Sequence, residues 1–331
     1  MNQSMLTPSA NSPPPFAKWQ PALVGALVGL LFRVWYFAGE PGEARSAMSF
    51  TFITFVPFAV AAVTVYIAER QERRSWGYYV FHGAGANVMF VFGSMLVMVE
   101  GLICAVIIIP MFALYGAFGG LVMGALCRAT NWPRHATYGF VFLPMLLSGV
   151  LPSGAGDTFI GQRERTVLVQ ASPVELWHQL HNAPQISAVE VERAWLYRIG
   201  VPVPMSAVTK VVGTTLERDI TMGKAIHFTQ VASEWRENSY VRWTYRFADD
   251  SFAPQALDDH VKIGGHYFDL IDTVYTLTPR GDATELKISM QYRVSTQFNW
   301  YSKRVAALLF DNFEEVVLDF YARRAAGSKG G

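Results

Sequence analysis

The sequence predicts a multi-span α-helical membrane region followed by an α+β domain, a seven-stranded antiparallel sheet around a long C-terminal helix. Three observations point there. Ionised side chains are missing over long apolar runs in the first half of the chain and frequent from Arg163 onward. A strand, a helix and six further segments of period-two alternation then follow, separated by turn residues. Last comes a helical pattern over 300–324, with apolar residues at spacings of three and four.

Taken whole, the chain is 51% hydrophobic and only 16% charged, with a net charge of +1. Soluble chains carry about a quarter charged residues, and the deficit is local. No ionised residue falls between Ser46 and Ala68 or between His135 and Gly156, and Glu100 alone stands between Ser75 and Cys127. Residues 1–18, with Ser12-Pro13-Pro14-Pro15, bury nothing and predict a disordered tail. A membrane region of four to five helices is expected over 19–152. Pro21–Phe37 is the first span; a cleaved signal sequence is the alternative, but Arg33 interrupts its apolar core. Met48–Ala68 has the roughly 20 residues a hydrocarbon core requires. Val88–Cys127 would be about 60 Å long as one helix, twice that core, so it predicts two spans broken near Glu100-Gly101 or Pro110. His135–Leu151 is a short fifth.

Basic residues favour the cytoplasmic side of short loops. With five spans, Lys18, the Arg70/Arg73/Arg74 group and the Arg128/Arg134 pair all fall on that side. Glu40, Glu43 and Arg45 fall on the other. The chain is then an integral inner- or plasma-membrane protein whose soluble domain is non-cytoplasmic, that is periplasmic; a fifth segment lying in the interface would reverse this. Cys104 and Cys127 read as small packing residues. Arg33 and Glu100, near membrane depth, are either functional charges or groups that snorkel to the surface.

The soluble domain is expected at 158–325, after a linker over 153–158 and before a flexible tail at 326–331. Val167 and Val169 alternate with Thr166, Leu168 and Gln170 as a strand. Ser172-Pro173 then caps a helix to His181, with Glu175 at its positive end. Strands follow at 207–212, 214–221, 225–232, 240–247, 267–278 and 284–294, parted by Met222-Gly223, Glu237-Asn238 and Pro279-Arg280-Gly281-Asp282. In the last strand Leu286, Ile288, Met290, Tyr292 and Val294 share one face. The terminal helix sets Val305, Leu309, Phe313, Val316 and Phe320 opposite Asp311, Glu315 and Asp319. One helix cannot fill a curved sheet, so a cavity for an apolar ligand is expected between them.

The runs "VLVQASPVELWHQL" and "YTLTPRGDATELKISMQY", with the closing helix, resemble the helix-grip superfamily of START, birch-pollen-allergen and polyketide-cyclase-like (SRPBCC) domains. The resemblance covers residues 163–325. "AWLYRIGVPVP" and the preceding spans resemble its bacterial membrane-bound members. Such domains bind lipids, sterols or polyketides, or cyclise polyketides, so the resemblance implies membrane-tethered binding, sensing or transfer of a hydrophobic molecule. A cyclase-like enzyme is the alternative, and a structural or signalling protein with a solid core the third.

Phe228, Trp243, Tyr245, Met290, Tyr292, Leu309 and Phe313 are the expected ligand-lining residues. Asp258, Asp259, His260 and His266, in "DDHVKIGGHYFD", are the expected gate at the cavity mouth or a metal site, or else ordinary turn chemistry. Ligand access is expected to need a shift of the terminal helix or of this loop. His178 and His181 are three apart but lack a third metal ligand with the right spacing. No GxSxG, phosphate loop, dinucleotide fingerprint or Cys/His zinc pattern occurs. No catalytic residue, metal or cofactor is therefore assigned. Basic residues form no stripe, so the expected partner is a membrane lipid or hydrophobic small molecule and not nucleic acid; no protein partner is specified.

Overall fold

The computed structural model describes residues 19–38, 46–130, 134–148, 150, 156–253, 256–258 and 260–327. The expected tail 1–18, Glu40, Glu43 and Arg45, residues 153–155 of the linker, Asp259 and residues 328–331 lie outside them. The described parts of Met1–Ala38, Thr51–Ser94 and Ile109–Leu151 form one compact unit, and those of Gly39–Phe50, Met95–Ile108 and Pro152–Gly331 another.

The first unit is helical. Its chain runs through α1 (Gln20–Trp35), α2 (Phe50–Gln71), α3 (Trp76–Leu96), α4 (Leu102–Thr130) and α5 (Arg134–Ser148), some of whose ends belong to the second unit. α2, α3 and α4 are long and apolar enough to cross a membrane. α1 and α5, expected as crossings, form helices of only 16 and 15 residues. The break expected in the 40-residue apolar run falls at 97–101, while Pro110 is absorbed inside α4. The third helix begins well before the expected Val88. Its first turns hold Gly, Tyr and His, which dilute the apolar signal.

Packing along α1 is inverted relative to a soluble bundle. On α1 the small residues Ala22, Gly25, Ala26 and Gly29 face inward, while Leu23, Leu27, Leu31 and Val34 are exposed. Small residues let membrane helices approach closely while large apolar ones meet lipid. At the α3–α4 crossing a Cβ on Gly116 would stand 2.5 Å from the Gly83 carbonyl oxygen and 2.3 Å from Asn87 Nδ2. Asn87 Nδ2 donates there to the Pro57 and Gly83 carbonyls, at 3.1 and 2.9 Å. One carboxylate that sequence reading passed over, Glu69, is buried. It accepts from the Tyr79 hydroxyl at 2.7 Å, and Arg128 donates to that same hydroxyl at 3.0 Å.

In the second unit the sheet has eight strands, not seven, all antiparallel in the order β1-β8-β7-β6-β5-β4-β3-β2. They are β1 (Phe159–Val169), β2 (Asn182–Ala183), β3 (Pro204–Val212), β4 (Thr215–Met222), β5 (Ile226–Arg236), β6 (Tyr240–Arg246), β7 (Phe268–Arg280) and β8 (Ala283–Val294). The extra strand, β2, is two residues long, too short to show alternation. α6 (Pro173–His181), α7 (Ala188–Val191) and α8 (Trp195–Arg198) lie between β1 and β3 in the chain, and α9 (Asn299–Gly327) follows β8. α9 thus takes in 326–327, which had been assigned to the tail. Ser172 caps α6, its hydroxyl accepting from the Glu175 amide at 3.2 Å. Register shifts at 204/206, 232/234 and 270/272 add local twist that helps the sheet curl. α9 packs on β1 and β8 and against α6, α7 and α8. A curled antiparallel sheet closed by a C-terminal helix fits the helix-grip arrangement.

The core lies between sheet and helix. Leu286, Ile288, Met290, Tyr292 and Val294 are all buried, as their alternation requires. Val241, Trp243, Tyr275 and Leu277 continue this layer across β6 and β7, and Phe310, Leu318 and Tyr321 meet it from α9.

Candidate functional site

The concave face is not uniformly apolar. In β4, Leu216, Arg218 and Ile220 share the face that period two assigns to the core, and all three are buried. Register sets Thr209 of β3, Arg218 of β4, Gln230 of β5 and Tyr245 of β6 side by side in one row. The Tyr245 and Thr273 hydroxyls, 2.6 Å apart, extend this polar belt to β7.

Arg218 is the centre of the belt and only 4% exposed. Its guanidinium donates to the Tyr321 hydroxyl of α9 at 2.6 Å and reaches Gln230 Oε1 at 3.5 Å. It also lies 6.0 Å from the Trp243 ring. Its Nε has no hydrogen-bond partner, and no carboxylate among the described residues forms an ion pair with it. Burial works against its charge, but the surrounding Tyr321, Tyr275 and Tyr245 hydroxyls outweigh it and hold the group protonated. Burial raises two of these tyrosines, Tyr245 to about 12 and Tyr275 well above its ordinary value. These two phenols are therefore neutral at physiological pH.

Two further titratable groups point inward. His181, at the end of α6, has its ring 4.1 Å from that of Trp177 and 5.6 Å from that of Trp243. Its Nδ1 is 2.8 Å from the Trp177 carbonyl, which only accepts, so the proton sits on Nδ1. Nε2, buried and without a partner, is a bare lone pair. Burial lowers this histidine to about 4, helped by the positive charge of Arg218. Glu314 on α9 is fully buried and neither carboxylate oxygen has a partner. Burial, with Asp311 nearby, pushes it up to about 8 against the pull of Arg165 and Arg163.

Of the expected lining residues, Trp243, Met290 and Tyr292 are buried at the centre of the core, while Phe228 and Phe313 pack against it partly exposed. Tyr245 and Leu309 are half-buried. Phe228 joins Tyr245, Phe247 and Phe252 in an aromatic cluster. On α9 the buried positions include Phe310, Glu314, Leu318 and Tyr321 together with the expected Val316 and Phe320, while Leu309 and Phe313 are half-buried. The three described gate residues make separate contacts. Asp258 accepts from the Gly101 amide at 3.2 Å, His260 Nδ1 lies 3.9 Å from Cys104 Sγ, and His266 is exposed, edge-on to Tyr267. Asp259 is outside the described residues. His178 is exposed and meets Asn182, so it does not join His181.

Sequence reading missed Arg218, Gln230, His181 as an inward group, and Glu314. A signal was available for the first. "LERDITM" places Arg218 in phase with Leu216, Ile220 and Met222, and a charge on the apolar phase of a strand marks a buried charge.

No family model matches this chain, and no curated protein does. Among solved structures it is similar to the Zhui aromatase/cyclase from Streptomyces sp. R1128, at 13% identity over 52% of this chain and 99% of that one, with a TM-score of 0.32. It is similar to norcoclaurine synthase from Thalictrum flavum, at 13% identity over 53% and 91%, TM-score 0.32. A START superfamily protein from Mycobacterium smegmatis gives 13% over 50% and 97%, TM-score 0.32. These likenesses concern fold and assign this chain no activity.

Proposed function

We propose that the sheet–helix domain binds a hydrophobic small molecule bearing an acidic head group, and that the apolar helices hold it at a membrane. The carrying observation is Arg218, a buried guanidinium that hydrogen-bonds a phenol and an amide and forms no ion pair with a carboxylate among the described residues. Burying an ion costs several kcal/mol unless a counter-charge repays it. A carboxylate or similar anion would complete the guanidinium fork. The apolar body would lie along Trp243, Met290, Tyr292, Phe310 and Phe313. This narrows the ligand to an amphipathic acid of the lipid class, for which a membrane is the natural reservoir.

The test is a binding series on detergent-purified protein, comparing long-chain fatty acids with their methyl esters and alcohols. The acid should bind at least tenfold more tightly, and Arg218→Met should erase the preference while leaving the apolar contribution. Equal binding of acid and ester would overturn the assignment.

A second reading rests on the unpartnered Nε2 of His181 together with the phenols beside Arg218. A neutral base and a cation–phenol pair are the parts needed to remove a proton beside a carbonyl and hold the enolate oxygen. On that reading the domain is a cyclase-like enzyme, and His181→Gln would abolish turnover but leave binding intact.

A further inference from the structure

We propose that Glu100, Cys104 and His260 form a binding site for a divalent transition metal of the zinc class. One donor atom from each lies within 4.8 Å of the other two, and all three side chains are half-buried. Cys104 Sγ and His260 Nδ1 are 3.9 Å apart. Donor atoms around tetrahedral zinc, with bonds of about 2.0–2.3 Å, stand about 3.3–3.8 Å from one another. Side-chain rotations of about 1 Å therefore close the set on an ion.

The backbone brings these groups together without the metal. Glu100 and Cys104 are four residues apart where α4 begins, and the Ala105 amide already donates to the Gly101 carbonyl at 3.0 Å. This one-turn spacing puts both side chains on one face. Opposite them, the Val261 amide donates to the Asp258 carbonyl at 3.0 Å, a turn that presents His260. Asp258 locks the two segments by accepting from the Gly101 amide. It approaches so closely that a Cβ on residue 101 would meet its Oδ2 at 2.4 Å and push the carboxylate aside. The His260 ring rests 5.9 Å from that of buried Tyr267.

Thiolate, imidazole and carboxylate together suit zinc and its borderline neighbours, whereas calcium and magnesium take oxygen donors. Three protein ligands leave a fourth position for water or another small ligand. A bound ion would pin residues 260–266 to the start of α4, and so fix a segment that borders the aromatic cluster around Phe247: Lys262 lies over Phe252 and Gly264 packs on Phe247. The site is independent of what the domain interior binds.

Cobalt(II) serves as the probe, titrated into full-length, detergent-purified, metal-stripped protein. We expect one ion per chain, a near-ultraviolet thiolate-to-cobalt charge-transfer band, and displacement by one equivalent of zinc. Cys104→Ser should lose the band, and His260→Ala should weaken binding by 10-fold or more. Cys127→Ser, at the only other cysteine, should change neither. Absence of the band in the unmodified protein, or its survival in Cys104→Ser, would overturn the proposal. Because His260 lies in a loop, its variant reads metal affinity even if Cys104→Ser fails to fold.

Discussion

The Arg218 guanidinium donates to the Tyr321 hydroxyl at 2.6 Å, a single bond that ties the middle of β4 to α9 across the domain interior. It gives this buried cation of the concave face its closest partner. It also makes docking of the helix depend on a polar contact.

Tyr321→Phe should destabilise the domain by about 1.5–3 kcal/mol, the range for losing a hydrogen bond to a charged group. Arg218→Met should be near neutral or stabilising, because it removes the buried charge together with its need for partners. Denaturant unfolding of the two variants checks this. Arg218→Met more unstable than Tyr321→Phe would mean that the cation is structural and not held for a ligand.

Stability should peak between two opposed titrations. Glu314 is raised from 4.5 to about 8 in the fold, so its contribution is present below about 4.5 and is lost as pH rises through 8. His181 is lowered from 6.5 to about 4, so its contribution is present above 6.5 and is lost as pH falls toward 4. At about 1.4 kcal/mol per pH unit, the Glu314 effect has an upper bound near 5 kcal/mol. Glu314→Gln should abolish the alkaline loss and melt higher than the parent at pH 9. Parallel pH profiles for parent and variant would show that Glu314 is not held protonated.

Gly161→Ala should distort the site from β1. Its Cβ would stand 2.5 Å from Cζ of Tyr292, a ring fully buried and stacked 4.6 Å from Phe310, with no room to retreat. Overpacking of this kind costs about 1–3 kcal/mol. Weaker retention of the bound acid and a lower melting temperature are the expected readouts.

Gly116→Ala should act in the helical unit, where the added methyl meets the Gly83 backbone carbonyl. A shortened half-life in detergent is expected, with acid selectivity unchanged; parental stability would show that α3 and α4 separate easily.

Topology follows from the arginines if all five helices cross. A reporter fused after Arg324 should then be active only outside the cytoplasm, because Arg70, Arg73, Arg74 and Arg128 stay inside. Cytoplasmic activity would place α1 or α5 in the interface, as their short lengths allow.

Local pattern alone determined much of this protein. Uncharged runs marked the helical region, because an ionised group in lipid is too costly to scatter at random. Period two marked seven strands, Ser172-Pro173 a helix start, and Glu100-Gly101 one of two candidate breaks in the apolar run, since each of these signals resides in neighbouring residues. The two-residue β2 carried no period to read, and the aromatic, glycine-rich start of α3 hid its apolar character. What only tertiary structure decided was the chemistry of the interior. Glu314 looks like a solvent residue until β1 and Tyr292 close over it, and His181 like a helix-end histidine until Trp177 and Trp243 enclose it. Arg218, Gln230 and Tyr245 are spread over 28 residues of sequence, and only the antiparallel register of three strands sets them in one row. Glu100, Cys104 and His260 are farther apart still. Such constellations depend on strand pairing and loop docking between distant segments, which no local periodicity encodes.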